Sequence, residues 1–192
     1  MCSSDLGGVV FTPYLSGERC PYPDSAARGV LYGLSLNTRR EDMIRACMEG
    51  IVFSLRQIVD IYRSFTAVNQ AIASGGGASS NLFLQMQADI LNLPVHTVSA
   101  AAEGGAYGAA LIAGMGVGLF RTPEEAVAVL HKEAEYLPME EHVRLCQKSY
   151  AIYQTIYPAL KDTYRLGMDL YEREEESDGK TSLGNVSGGA DV

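Results

Sequence analysis

The sequence lacks the positive charge and the long apolar runs that would direct a chain to nucleic acid or into a bilayer. It carries 15 lysines and arginines against 23 aspartates and glutamates, for a formal net charge of −8. An acidic surface offers no positive charge to neutralise a polyanion. We therefore expect the protein to bind neither nucleic acid nor an anionic membrane surface. The longest apolar stretch, around residues 106–120, is broken by glycines and is shorter than the roughly 20 residues of a bilayer span. We therefore expect a cytoplasmic protein without a membrane segment.

Cysteine is also sparse, and its spacing argues against a zinc site. The four cysteines are scattered and form no CxxC pair, so we predict no metal site. The opening residues have too little apolar length for a secretory signal. Residues 2–6 match the translation of a common sequencing adaptor, and we interpret residues 1–6 as a non-native leader. The overall composition, 47% hydrophobic and 20% charged, suits one globular domain.

What the sequence does contain is a glycine run between a short apolar segment and a helical pattern. Residues 71–74 lead into the glycines at 75–77, and a helix is predicted over 82–91. Glycines leave the backbone bare, and either Ser79 or Ser80 can cap the helix, so the turn suits a phosphate, a ribose or a flat ring. The run has neither the GxGxxG nor the GxxxxGK[ST] spacing. From the residues alone, a nucleotide site and an empty strand-to-helix turn are equally favoured.

The rest of the chain alternates strand and helix patterns, which indicates an α/β fold. Strands are predicted over 7–15, 29–36 and 95–98, and helices over 38–65, 82–91, from 103, over 122–130 and over 140–171. Capping boxes at 38–41 and 122–125 mark two of the helix starts. The first long helix has an apolar stripe that we predict to be core, formed by Ile44, Cys47, Ile51, Leu55, Ile58 and Tyr62. From residue 174 the chain turns acidic and then rich in glycine and serine, which predicts a disordered tail over 174–192.

Five blocks of the sequence, in order, resemble the C-terminal domain of the FGGY family of carbohydrate kinases. They are Pro13-Tyr-Leu-Ser-Gly-Glu-Arg-Cys-Pro21, Ala27-Arg-Gly-Val-Leu-Tyr-Gly-Leu34, Arg45-Ala-Cys-Met-Glu-Gly-Ile51, Gly75-Gly-Gly-Ala-Ser-Ser-Asn81 and Glu103-Gly-Gly-Ala-Tyr-Gly-Ala-Ala110. The resemblance covers residues 7–167 and is greatest to the bacterial xylulokinases of that family. It implies an α/β domain of the ribonuclease-H-like, actin-like ATPase type. Residues 7–173 would form part of that domain, with its first strands upstream, which would leave an unpaired sheet edge or an uncovered core face.

For the glycine run, the resemblance implies adenine-nucleotide binding. It places Gly76 and Gly77 against the nucleotide and Asn81 where its side chain can hydrogen-bond the adenine. From the residues alone, Asn81 serves equally well as a first-turn helix residue. Further residues are expected to support the turn or to pack beside the cleft: Gly75, Ala78, Gln85, Asp89, Gly104 and Gly105.

The resemblance also implies which chemistry the chain lacks. Phosphoryl transfer to a sugar hydroxyl needs a base, a phosphate cradle and a metal ion. In this family the base aspartate and the phosphate loops precede the present segment, and neither Asp24 nor Asp89 sits in the base motif. We therefore predict no catalytic residue here and no activity of the chain alone.

The function implied is the adenine-nucleotide-binding part of an ATP-dependent sugar kinase. Its cofactors are ATP or ADP with Mg²⁺, whose ligands would lie outside this chain. D-Xylulose is the expected substrate, giving D-xylulose 5-phosphate and ADP. Gluconate, glycerol and ribulose kinases share the blocks and remain alternatives, as does a non-catalytic actin-like nucleotide-binding module. The expected partners are the N-terminal kinase domain and the sugar, and a homodimer is left open.

Overall fold

The computed structural model describes residues 8–99 and 104–182, with side chains up to residue 168. Helices and strands alternate along the chain, which confirms the predicted α/β class. In chain order the elements are β1 (Val10–Thr12), β2 (Val30–Tyr32), α1 (Arg40–Arg63), β3 (Ala71–Ala73), α2 (Asn81–Leu91), β4 (Val95–Val98), α3 (Gly104–Gly116), α4 (Pro123–Val127), β5 (Lys132–Tyr136) and α5 (Glu140–Ser182). None of the helices in these ranges is both long enough and apolar enough to cross a bilayer.

The strands form two small sheets. β1 and β2 pair antiparallel, with Val10 opposite Tyr32. β3 and β4 pair in parallel, and β5 adds antiparallel to β4, which gives the order β3-β4-β5. Parallel neighbours need a crossover connection, and α2 supplies it between β3 and β4. β3 is therefore an edge strand of the described sheet, and its Ile72 is 55% exposed.

The core lies where α1, α2 and α5 meet the strands. α1 packs against β1 and α2, while α5 packs against α2 and β1. Phe53 of α1 and Tyr153 of α5 are each 1% exposed, and their ring centroids lie 5.4 Å apart. On α2, Leu84 and Ile90 are equally buried. The helix that follows the glycine run is therefore held in place by both of the longer helices.

Capping at α1 differs by one residue from the predicted box at 38–41. Arg39 is the N-cap, and its backbone N–H donates to Asp42 Oδ2 over 2.8 Å. Thr38 instead accepts the Ser35 N–H at its Oγ1, also over 2.8 Å. The predicted box is wrong because two carboxylates follow each other here and Asp42, not Glu41, turns back to the N-cap. At α4, by contrast, Thr122 caps the helix as predicted.

The predicted apolar stripe of α1 is not its buried face. Ile44, Ile51, Leu55 and Tyr62 are 51%, 47%, 42% and 53% exposed. The prediction that this stripe packs in the core is therefore wrong for the described chain. The residues that α1 does bury are Asp42, Ala46, Glu49, Gly50, Val52, Phe53, Arg56 and Gln57.

Polar partners explain why α1 buries charged side chains. Arg45 Nε donates to Glu49 Oε1 over 2.9 Å, and Arg56 Nη1 donates to the Ile90 carbonyl over 2.8 Å. A buried polar group is tolerated when it is hydrogen-bonded. Gly50 lies on the same face, and a Cβ there would fall 2.2 Å from the Phe11 carbonyl oxygen. Close approach of β1 to α1 therefore requires glycine at this position.

The last helix, α5, extends past residue 173, the predicted end of the domain. α5 continues to Ser182, so the backbone of residues 174–182 is helical where the composition predicts the start of a disordered tail. Three glutamates at positions 174–176 follow Arg173, and glutamate favours helix. Residues 1–6, interpreted as a leader, and residues 183–192 of the predicted tail lie outside the described residues. The domain limits 7–173 stay a prediction.

Candidate functional site

The glycine run forms the predicted strand, turn and helix. β3 ends at Ala73, and Gly75 follows with a φ of +79°, a conformation that favours glycine. A single 3-10 turn then spans Gly76–Ser79, with the Ala78 N–H donating to the Gly75 carbonyl over 3.0 Å. Of the two serines predicted as caps, Ser80 is the N-cap of α2, and its Oγ accepts the Phe83 N–H over 3.3 Å. The turn is thus fixed by its own backbone and by the start of α2.

The two central glycines have different surroundings. A Cβ added at Gly76 would meet no atom within 4 Å, so the backbone there is open to a ligand. A Cβ at Gly77 would lie 2.9 Å and 3.0 Å from two atoms of the Phe83 ring. Packing alone therefore gives a reason for glycine at Gly77, whereas Gly76 has no such reason in the described chain.

The beginning of α3 lies against the same turn. A Cβ at Gly104 would lie 3.3 Å from the Ser74 side chain and 3.5 Å from the Gly75 nitrogen. Gly104 therefore contacts the turn closely, as expected for a residue that packs beside the cleft. Gly105, one residue on, has open space around its Cβ position. The structure thus brings the starts of α2 and α3 together around the glycines.

Asn81, the first residue of α2, is exposed beside the turn. Its Oδ1 accepts a hydrogen bond from the Tyr136 hydroxyl over 2.8 Å. Tyr136 ends β5, and our reading of the sequence missed both the strand and this residue. The segment Lys132–Tyr136 alternates charged residues with Ala134 and Tyr136, a pattern typical of a polar edge strand that is easily read as a loop.

Gln85 and Asp89 brace α2 against the segment that leads into α5. Gln85 Nε2 donates to Asp89 Oδ1 over 3.0 Å and to the Leu137 carbonyl over 2.9 Å. The buried Asp89 also accepts the Met139 N–H over 2.8 Å, and its Oδ2 lies 2.9 Å from His142 Nδ1. These bonds hold α2 about one to two helical turns beyond its first residue, so any support they give to the glycine turn acts through the helix.

The two aspartates that sequence analysis considered as a base are both engaged. Asp89 is 5% exposed within the network around α2. Asp24 Oδ2 accepts the Tyr157 hydroxyl over 2.7 Å, and this bond holds the pKa of the carboxyl below its usual value. A base needs a carboxylate that is open to the substrate and readily protonated. Asp89 is buried, and Asp24 is half-buried with one carboxylate oxygen bonded to Tyr157.

A second concave surface lies at the loop that follows β1. An open cavity of about 710 Å³ is lined by Ser16, Gly17, Glu18, Arg19, Pro23, Asp24 and Ser25. Glu18 Oε1 accepts the backbone N–H groups of Arg19 and Cys20 over 2.6 Å and 3.1 Å, so its carboxylate shapes its own loop. No group of three or more His, Cys, Asp or Glu side chains in the described ranges is placed to hold a metal ion.

Comparison with known proteins gives one consistent family. Residues 2–117 match the family described as "FGGY family of carbohydrate kinases, C-terminal domain". The chain is 40% identical over 158 residues to the xylulose kinase of Staphylococcus xylosus, covering 80% of this chain and 32% of that protein. The chain thus spans about a third of the length of this curated relative.

Solved structures of kinases superpose on the same region. The gluconate kinase from Lactobacillus acidophilus is similar with a TM-score of 0.75 and 29% identity, over 85% of this chain and 33% of that one. The ligand-bound xylulose kinase from the same organism gives a TM-score of 0.74 and 28% identity, over 84% and 34% of the two chains. These neighbours confirm the predicted fold class.

Proposed function

This chain belongs to the FGGY family of carbohydrate kinases, and from that membership we propose that it is the adenine-nucleotide-binding part of a cytoplasmic ATP-dependent sugar kinase. The observation that carries the proposal is the bare turn at Gly76, bordered by the starts of α2 and α3. Unpaired N–H groups and the positive end of a helix dipole favour an anionic or nucleotide ligand at such a position. In this assignment Gly76 and Gly77 lie under the nucleotide, and Asn81 contacts the base.

D-Xylulose is the substrate that we propose for the longer protein, with D-xylulose 5-phosphate and ADP as products. The support is the 40% identity to a xylulose kinase. Similarity to a gluconate kinase structure favours gluconate as the second candidate. A kinase assay of the complete gene product against D-xylulose, gluconate, glycerol and L-ribulose decides between them. Preference for any sugar other than D-xylulose would refute this choice of substrate while leaving the nucleotide site intact.

Phosphoryl transfer itself is assigned to parts outside this chain. Asp24 and Asp89 are held by hydrogen bonds, so we infer that the base comes from the N-terminal kinase domain. Mg²⁺ would neutralise the developing phosphate charge when bound with ATP. Because the described residues present no fitting metal cluster, we assign no residue of this chain to it. This chain's own contribution is to bind and orient the adenosine end of ATP.

Titration of the chain with ADP tests the nucleotide site. We expect saturable binding in calorimetry together with shifts of the backbone amide signals of residues 75–81. Gly76→Val adds a side chain where there is open space, so the fold is kept and the ligand is blocked, which lowers ADP affinity at least tenfold. Gly167→Val on α5 is the matched control, since its Cβ position is also open and lies on another element. Equal ADP affinity in both variants would contradict the proposal and would mean that the turn has only a structural role.

A further inference from the structure

Tyr136 links the edge strand β5 to the start of α2. It lies opposite Val95 of β4 at the end of the strand, and its half-buried ring packs against the hydrophobic core. The hydroxyl group emerges from this anchored ring and donates to Asn81 Oδ1 over 2.8 Å. A core-anchored donor therefore holds an otherwise exposed side chain beside the glycine turn.

This hydrogen bond determines which end of the Asn81 carboxamide is available to a ligand. A carboxamide has an acceptor oxygen at one end and two N–H donors at the other. Because Oδ1 is turned toward Tyr136, the Nδ2 hydrogens are left for the other side. The ring nitrogens of a purine, such as N7, are hydrogen-bond acceptors, so they match a donor at Nδ2.

We propose that Tyr136 is a positioning residue that orients Asn81 so that Nδ2 donates to a ring nitrogen of the bound purine. The inference rests on the proposed nucleotide site. It adds Tyr136 of β5 to that site, as a residue that affects the base only through Asn81. An exposed amide samples several rotamers and both flipped orientations, and binding must select one of them. A side chain already held in the productive orientation loses less entropy when the ligand arrives, so affinity rises.

A double-mutant cycle on ADP affinity tests the role of Tyr136. Tyr136→Phe keeps the ring and removes the donor, and we expect ADP to bind about three- to tenfold more weakly, the usual range for one neutral hydrogen bond. In an Asn81→Ala background the same change is expected to have no further effect, because Tyr136 acts through Asn81. Tyr62→Phe, the same change on the exposed face of α1, is expected to leave ADP affinity unaltered.

A substitution at Asn81 tests which amide atom the nucleotide uses. Asn81→Asp still accepts from Tyr136 but carries no donor, so we expect it to lose as much ADP affinity as Asn81→Ala. Wild-type affinity in Asn81→Asp would overturn the donor role, and additive losses in the cycle would show that Tyr136 acts elsewhere.

The outcomes also separate this inference from the proposed function. If Tyr136→Phe binds ADP as the wild type does while Gly76→Val does not, the nucleotide site stands and the positioning role is wrong. If the wild-type chain binds no ADP at all, the proposed function fails and the inference fails with it. Thermal unfolding of each variant, expected within a few degrees of the wild type, shows that affinity and not folding has changed.

Discussion

The hydroxyl of Tyr14 joins the loop after β1 to helices α1 and α5. Tyr14 donates to Gln57 Oε1 of α1 over 3.2 Å and accepts from Tyr153 of α5 over 3.0 Å. Tyr14 and Tyr153 are each 1% exposed. Burial disfavours the phenolate and raises the pKa of Tyr14 to about 12, from a usual value of 10.0. The neutral hydroxyl is therefore part of the folded state, and its ionisation opposes folding.

Alkaline pH is expected to destabilise the chain through these buried tyrosines. Because the folded-state pKa of Tyr14 is above its unfolded value, its contribution is fully present below pH 10 and is lost as pH rises toward 12. A shift of this size corresponds to about 2 to 3 kcal/mol. Urea midpoints at a series of pH values from 8 to about 11.5 measure the loss.

The variant Tyr14→Phe separates this residue from the other tyrosines. It removes one titrating group, so its midpoint is expected to be lower than the wild type at pH 8 and to fall less steeply above pH 10. Tyr62→Phe, at an exposed position, is the control and is expected to follow the wild-type curve. A variant curve parallel to the wild type throughout would contradict the role of Tyr14.

At the scale of elements, local patterns predicted where helices and strands lie better than which face they bury. The turn at Gly75, the cap at Ser80 and the cap at Thr122 depend on neighbours within four residues, and the structure agrees with each. The face of α1 depends on β1 and α2, which are distant in sequence. Polar side chains such as Glu49 and Arg56 enter the interior because those neighbours offer partners, and no periodicity of apolar residues indicates this.

The candidate site was predictable to the same extent. Gly76, Gly77 and Asn81 belong to one continuous block, and the structure places the two glycines in the 3-10 turn and Asn81 at the first residue of the helix after it. The contribution of Tyr136 was not predictable. Tyr136 is 55 positions from Asn81 in the sequence, and the two meet only because β5 pairs with β4. A resemblance between sequences can identify the block of glycines and Asn81. The contact of Asn81 with a residue of another strand can be found only from the folded structure.

Two neighbouring residues of α1 provide a test of its buried face. Phe53 is 1% exposed and Leu55 is 42% exposed. Phe53→Ala is expected to lower the free energy of unfolding by about 3 to 5 kcal/mol, the usual cost of deleting a buried aromatic ring. Leu55→Ala is expected to lower it by less than about 1 kcal/mol. Urea unfolding of the chain measures both, and an equal or larger loss for Leu55→Ala would reinstate the stripe predicted from the sequence.

For the whole molecule, the described residues leave an apolar stripe of α1 and one edge of the β3-β4-β5 sheet exposed. The exposed stripe of α1 includes Ile44, Ile51 and Leu55, and β3 presents Ile72 at the edge of its sheet. A large apolar face and an unpaired edge favour association with another surface. The chain spans about a third of the length of its xylulose kinase relative, and we propose that polypeptide of the longer protein covers this face.

One pair of substitutions, made in two different proteins, tests this account. In the present chain, Ile51→Glu with Leu55→Glu replaces exposed apolar surface by charge, so we expect less self-association in analytical ultracentrifugation and an unchanged circular dichroism spectrum.

The second test protein is a chimaera in which this chain replaces the matching third of the Staphylococcus xylosus xylulose kinase. There the same pair would bury two unpaired carboxylates, and we expect a large loss of thermal stability. Glu substitution of Ile112, exposed on α3, is the control for added charge. If the α1 pair were harmless in the chimaera, its stripe would be a true outer surface of the folded protein, because a covered face cannot accept two charges without cost.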